Sequence, residues 1–261
     1  MSGNEESWRV IRQERDPWPA VNNMGLDESI LEHVSRGESP PTLRFYMWKP
    51  SAISLGYFQS LDMEVDVSSC KELGVDVVRR ITGGGAVYHD SVGELTYSVV
   101  AREDQRLLPK DIMGSYRTII DGLISGLGVF GIEASFRPLN DIVVSDMKIS
   151  GNAQTRRKGC MLQHGTILLS VDVETMFKLL RVPSEKMKGK LIQKVKGSVT
   201  SMESQLGSRP DPTGVADALQ EGLGESLPGS QHLGEPSAEE MSRSEEIARE
   251  RYGNPEWTSK R

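Results

Sequence analysis

The run Val75-Asp-Val-Val-Arg79-Arg80-Ile81 leads within two residues into Gly83-Gly84-Gly85, and this junction constrains the fold more than any other segment. The β-branched residues predict a strand. Three consecutive residues without a Cβ then end it and let the backbone fold closely around a ligand, with N–H groups free to converge on an anion. Arg79 and Arg80 add guanidinium forks that suit phosphate or carboxylate. A plain glycine turn with solvated arginines accounts for the same residues, and this segment alone leaves both readings open. No Gly-Lys-Ser/Thr follows, so it is not a Walker A loop, and the spacing of a dinucleotide-binding fingerprint is missing.

Around this junction the pattern is mixed. Leu26, Ile30 and Val34 predict a helix over 22–35, capped by Asn22 or Asn23 and closed by Gly37. Thr42–Trp48 alternates as a strand, with 53–58 as its expected partner across Pro50-Ser51. Residues 86–88 and 95–101 read as an antiparallel pair. Ile112, Tyr116, Ile120, Leu123 and Leu127 give a second helix, opened by Asp111 and ended near Gly128. Strands at 141–144 and 161–171 and a helix at 174–180 follow. Strands and helices in this order predict an α+β fold with antiparallel-rich sheets, not a doubly wound parallel one.

From Gly207 to about Pro236, Gly, Pro, Ser and Glu dominate and aromatics are absent. That composition predicts a linker-like stretch with one short helix near 215–223. A charged helix over 238–252 follows, with Trp257 available to dock it. The expected organisation is therefore a catalytic domain over 1–206 and a linker-like 207–261 with a short C-terminal helix.

The 261 residues, 37% hydrophobic, suffice for one sizeable core. A net charge of −6 argues against a general nucleic-acid or membrane-surface binder, which concentrates Lys and Arg; the run Arg156-Arg157-Lys158 is a local exception. Cys70 and Cys160 lie far apart, with no disulfide framework or metal-ligand spacing. Met1–Arg15 is polar with no apolar leader, and no apolar run reaches spanning length. The expected setting is cytoplasmic, with no nucleic acid and no membrane.

A second chemistry-bearing segment is Asn140-Asp141-Ile-Val-Val-Ser-Asp-Met-Lys148-Ile-Ser150-Gly151-Asn152-Ala-Gln154. Lys148 followed by small and amide residues is placed like a functional group, although a turn lysine after Ser145-Asp146 fits too. His89 in Tyr-His-Asp and His164 in Gln-His-Gly-Thr are candidate bases or ligand contacts, though a satisfied structural histidine is the commoner case. Cys160 has no adjacent base in sequence and reads as a small buried hydrophobe.

Together, Arg79-Arg80-Ile-Thr-Gly-Gly-Gly-Ala-Val-Tyr-His-Asp90, Gly93-Glu-Leu-Thr-Tyr97, Asn140-Asp141-Ile, Lys148-Ile-Ser-Gly-Asn-Ala-Gln154 and Gln163-His-Gly-Thr-Ile-Leu168 resemble the lipoate–protein ligase family, related to the biotin–protein ligases. The resemblance covers roughly 8–206 and points to the split form that lacks a C-terminal accessory domain. It implies an α+β acyl-adenylating domain using ATP as co-substrate, with Mg2+ on the nucleotide. Activated lipoate or octanoate would pass to a lysine of a lipoyl carrier domain, from a 2-oxoacid dehydrogenase or a glycine-cleavage H-type protein. A separate accessory polypeptide is an implied partner.

By resemblance, Arg80, Gly83, Gly84, Gly85, Ala86, Val87, Tyr88, Asn140, Asp141 and Lys148 bind the nucleotide. Arg79, Gly84, Gly85, His89, Lys148, Gly151, His164 and Gly165 contact the acyl substrate, and Lys148 is catalytic. The expected activity is thus ATP-dependent ligation. The alternatives are an octanoyl or lipoyl transferase of the same fold, working without ATP through a cysteine thioester, and a non-catalytic binding relative. A biotin ligase ranks below these, because Arg79–Gly85 does not resemble the biotin enzymes' arginine- and glycine-alternating loop.

Overall fold

A computed structural model describes residues 7–104, 106–181 and 185–260; residues 1–6, the start of the polar stretch 1–15, lie outside it. In chain order the strands are β1 (Ser7–Trp18), β2 (Thr42–Trp48), β3 (Ala52–Leu55), β4 (Asp76–Arg79), β5 (Val87–His89) and β6 (Glu94–Arg102). Then come β7 (Ser135–Arg137), β8 (Asp141–Val144), β9 (Met147–Arg157), β10 (Cys160–Leu168) and β11 (Ser230–Leu233). The helices are α1 (Ala20–Arg36), α2 (Leu61–Glu64), α3 (Val67–Glu72), α4 (Ile112–Gly128) and α5 (Val173–Leu179). They continue as α6 (Glu185–Lys196), α7 (Met202–Leu206), α8 (Pro212–Ser226), α9 (Ala238–Ile247) and α10 (Pro255–Thr258).

Eight strands form one sheet in the order β11-β1-β2-β6-β10-β9-β8-β7, and β4-β3-β5 form a second. The long hairpin-like pairings β2–β6–β10–β9–β8 are antiparallel, while β1 runs parallel to both β2 and β11. The α+β, antiparallel-rich expectation holds. Every residue of β2 is buried, because helices cover both faces of the sheet. Leu43 and Phe45 join the cluster that includes Ile119, Leu123, Leu219 and Leu223 of α4 and α8. Tyr46 and Trp48 point the other way, into the cluster with Leu26 and Ile30 of α1 and Ile247 of α9. Burying each such Leu or Ile contributes about 1.5–3 kcal/mol.

Several local expectations are corrected. Residue 19, not Asn22 or Asn23, caps α1; Asn23 is buried inside the helix, and its side chain donates to the carbonyls of Trp18 and Met47. Gly37 closes α1 in the left-handed conformation, and Asp111 caps α4 through Gly114 N, as anticipated. β3 does not pair with β2: it turns into the small sheet between β4 and β5. β5 and β6 likewise fall in different sheets, so the Asp90–Gly93 bend is a crossing, not a hairpin turn.

The segment from 207 onward is built into the fold, not linker-like. Its Gly and Ala residues, which carry the linker composition, are the ones α8 uses to approach α4. A Cβ on Gly222 would sit 2.2 Å from the carbonyl oxygen of Gly122, and one on Gly126 would sit 2.7 Å from that of Ala218. β11 extends the sheet beside β1, and α9 packs on α1. Arg9 of β1 forms a two-pronged ion pair with Glu240 of α9, both bonds 2.6 Å and both residues buried. β1 itself escaped the sequence pattern because Arg9, Arg12 and Glu14 interrupt its alternation. Their charges are neutralised by Glu240, by Asp217 and by one another. No helix among the described residues is long and apolar enough to cross a membrane.

Candidate functional site

β5 and the glycine loop face β9 and β10 across a cavity of about 450 Å3. That is the size of a small-ligand pocket. Met24, Trp48, Leu168, Met176, Leu180 and Val199 give it apolar walls. Of the residues singled out from sequence, Arg80, Gly84, Gly85, Ala86, Val87, Tyr88 and His89 line it. So do Asn140, Lys148, Gly151, His164 and Gly165. The close approaches explain several glycines. A Cβ on Gly165 would lie 2.0 Å from Asn152 Oδ1, and one on Gly56 would lie 1.9 Å from the carbonyl oxygen of Gly84. Gly84 itself has φ +93°, which side-chain-bearing residues rarely adopt.

Lys148 is the second residue of β9, just past a turn in which Ser145 and Asp146 both have positive φ. Its backbone is pinned on the far side by Ser198 and Thr200, with N–H to Ser198 O at 2.8 Å and Thr200 N–H to Lys148 O at 2.9 Å. Its Nζ lies 2.7 Å from Asp141 Oδ1, and the side chain is 38% exposed. Gly151 lies beneath that ammonium, since a Cβ there would be 2.6 Å from Nζ. Asn140 holds the strand start by exchanging hydrogen bonds with Asn152. Lys148 is therefore an oriented, partly solvated cation at the cavity's rim.

Three selected residues do not line the cavity. Arg79 is fully buried and donates to the carbonyls of Gly56, Gln59 and Thr258, tying the 56–59 loop to the C-terminal helix α10. Trp257 of α10 returns a bond from Nε1 to Arg79 O at 2.8 Å. Gly83 accepts from Arg80 Nη2, and Asp141 acts on the cavity only through Lys148. Arg80, by contrast, spans from Ser54 to the carbonyls of Gly83 and Gly85, shaping the loop; burial lowers its pKa to about 10.

The inner wall carries two buried histidine networks. His164 Nε2 lies 2.7 Å from Thr82 Oγ1, and Nδ1 lies 3.9 Å from Asp27 Oδ2. Burial pushes the His164 pKa below its usual value, although Asp27 opposes this. Burial works against the charge of Asp27, but Arg44 and His164 together hold its carboxyl below the usual range. His89 Nδ1 lies 2.6 Å from Glu94 Oε1, its Nε2 lies 2.7 Å from Ser54 Oγ, and its ring stacks on Trp48 at 4.1 Å. Sequence reasoning passed over Ser54, Trp48 and Glu94. Only Glu94 left a trace, five residues after His89 within a quoted motif.

Neither cysteine reaches the cavity. Cys70 packs with Ile53, Leu55, Val65 and Leu179, and burial, with Asp66 nearby, pushes its thiol up to about 11. Cys160 is buried in the α1-facing cluster, and burial raises its thiol too. Among the described residues no cluster of three or more His, Cys, Asp or Glu has the geometry to hold a metal ion.

Residues 19–224 match the lipoyl protein ligase A/B catalytic domain. Octanoyltransferase LipM of Clostridioides difficile (strain 630) is 34% identical, with 97% of this chain and 99% of the relative covered. The bi-partite lipoate protein ligase of Thermoplasma acidophilum, studied with its E2 lipoyl domain, superposes with a TM-score of 0.84 at 30% identity, covering 97% and 96% of the two chains. A lipoate-protein ligase A structure bound with ATP gives a TM-score of 0.80 at 27% identity, covering 98% of each. High-coverage relatives from several further organisms also carry the octanoyltransferase name. That name describes transfer, and it overturns the ATP-dependent lipoate–protein ligase expected from the sequence. The order of motifs identified the family but did not separate ligation from transfer, because one family model covers both A and B types. This chain belongs to the lipoyl protein ligase A/B catalytic domain family.

Proposed function

We propose that this enzyme is an octanoyl-type acyltransferase: it takes a medium-chain acyl group from a thioester on a carrier protein and delivers it to the ε-amine of a lysine on a lipoyl carrier domain. The observation that carries the reading is the apolar cavity with an oriented ammonium, Lys148, at its rim, in a chain whose full-length relatives are octanoyltransferases. A thioester is already an activated acyl group, so no nucleotide is needed to make its carbonyl electrophilic. Attack places negative charge on the carbonyl oxygen, and a fixed ammonium in a partly desolvated site favours that charge more than water does. The apolar walls from Met176, Leu180 and Val199 suit a saturated chain of medium length.

The glycine loop is built for close backbone approach, and Gly84 and Gly85 are exposed at the cavity's edge. We assign it to the donor's thioester arm and Lys148 with Asn140 to the reacting carbonyl. A lipoyl carrier domain is the acceptor by this reading. The accessory polypeptide was expected with the ligase activity, and transfer from a thioester does not call for it. The test is to incubate the purified chain with an octanoyl carrier protein and a lipoyl domain, without nucleotide, and weigh the domain by mass spectrometry. Octanoylation of one lysine is expected. Modification that occurs only with free octanoate and ATP would overturn the proposal.

A further inference from the structure

The transferase reading leaves a chemical question open: a relay of the acyl group through the enzyme would use a nucleophile in the cavity, and both cysteines are buried elsewhere. The inner wall contains a different candidate. Ser54 Oγ lies 2.7 Å from His89 Nε2, and His89 Nδ1 lies 2.6 Å from Glu94 Oε1. These are the two contacts that join a serine nucleophile, its general base and the carboxylate that orients the base. All three residues line the cavity.

The surroundings fit an activated hydroxyl. With Nδ1–H donated to Glu94, Nε2 is left as the acceptor for the Ser54 proton, the tautomer a general base requires. Arg80 Nη1 donates to Ser54 Oγ at 3.0 Å, placing a positive charge beside the oxygen as it loses its proton. Glu94 is held by Thr96 Oγ1 at 2.8 Å, and Trp48 Nε1 in turn donates to Thr96 at 2.7 Å. Trp48 also stacks on the imidazole, so ring and carboxylate are fixed independently. The second carboxylate oxygen, Glu94 Oε2, is buried and has no hydrogen-bond partner among the described residues. A buried carboxylate oxygen left without a donor is destabilising, and packing alone gives no reason to retain it. Its unspent charge is available to stabilise an imidazolium.

We propose that Ser54 is the acyl-accepting nucleophile of this enzyme, with His89 as its general base and Glu94 as the residue that positions His89. The proposal rests on the transferase reading above. In the first half-reaction Ser54 Oγ attacks the thioester carbonyl, its proton passes to His89, and the C–S bond breaks. The leaving thiolate takes that proton, so the products are an acyl-Ser54 ester and a free thiol. In the second, the lysine amine of the acceptor attacks the ester and gives a proton to His89. His89 returns it to Ser54 Oγ as the C–O bond breaks, leaving an amide. No oxidant, nucleotide or metal enters the balance.

The experiment begins with wild-type protein, octanoyl carrier protein and no acceptor. One octanoyl group, cleaved by hydroxylamine, should appear on the peptide containing Ser54. Ser54→Ala should lose transfer by about a thousandfold or more. Ser54→Cys should retain transfer and become blocked by iodoacetamide, while the wild type resists it. His89→Gln should lower kcat with little change in KM. Wild-type transfer with no acyl-enzyme, an acyl group on Cys70 or Cys160, or full activity in Ser54→Ala would each overturn the proposal and leave the transferase reading standing. No transfer from the carrier protein by the wild type would overturn both.

Discussion

The ammonium of Lys148 and the carboxylate of Asp141 meet at 2.7 Å across the β8–β9 hairpin, and Asp141 also accepts from Arg137 at 2.9 Å. The pair aims a flexible side chain at the cavity's rim without burying it. Lys148→Ala should therefore cut transfer by about 10²–10³-fold, as loss of a charge-stabilising donor does. Its unfolding midpoint should stay within about 1 kcal/mol of wild type, because a partly exposed ion pair contributes little. Lys148→Arg should not restore activity, since the planar fork does not present the same point charge. Steady-state kinetics beside urea unfolding checks both halves.

His164 makes stability depend on pH. Burial lowers its pKa in the folded state below the ordinary 6.5. The unfolded chain then binds a proton that the folded one resists, so this contribution is fully present above about 6.5 and declines as pH falls below it. Asp27, whose folded pKa is lowered, contributes stability that disappears only under more acidic conditions, below its ordinary 3.8. Urea midpoints should fall between pH 7 and pH 5, and His164→Gln should flatten that slope. An unchanged slope in the variant would refute the assignment.

The α4–α8 contact depends on missing side chains. Gly222→Ala would place a methyl 2.2 Å from Gly122 O and 2.6 Å from Gly126 N, both backbone atoms that cannot swing aside. Overpacking of about 1–3 kcal/mol should outweigh the gain of about 1 kcal/mol in helix propensity. Gly128→Ala, at the end of α4 with nothing within 4 Å, should instead be neutral or stabilising. Opposite shifts in thermal midpoint are expected from these two chemically identical changes.

Glu240 ties the C-terminal region to the first strand through Arg9, with a further bond from Ser39 at 2.8 Å. Glu240→Ala leaves Arg9 buried and uncompensated and should cost about 3–5 kcal/mol. Removing the partly exposed Asp104 beside the exposed Arg106 should shift the unfolding midpoint far less. Comparing the two by denaturant unfolding separates burial from charge.

Much of the architecture was legible in local pattern. β2, α4 and β8 fall where periodicity puts them, and Gly37 and Asp111 act as the caps their chemistry suggests. Local pattern failed where long-range pairing overrides it. β1 reads as a charged segment because its partners, Glu240 and Asp217, lie more than 200 residues away. The stretch after 207 reads as a linker because the same glycines that signal flexibility also permit two helices to touch.

The site divides in the same way. The order of motifs around Gly83–Gly85, Lys148 and His164 pointed to the family from sequence alone, and the family match over 19–224 bears that out. Which chemistry follows was not written in that order. Arg79 and Arg80 are adjacent in sequence, yet strand alternation sends Arg79 to the C-terminal helix and Arg80 to the cavity. Ser54, His89 and Glu94 come from three strands in two sheets, and only the tertiary structure brings them within hydrogen-bond distance. A side chain's identity is local, but its proton partner is chosen by packing.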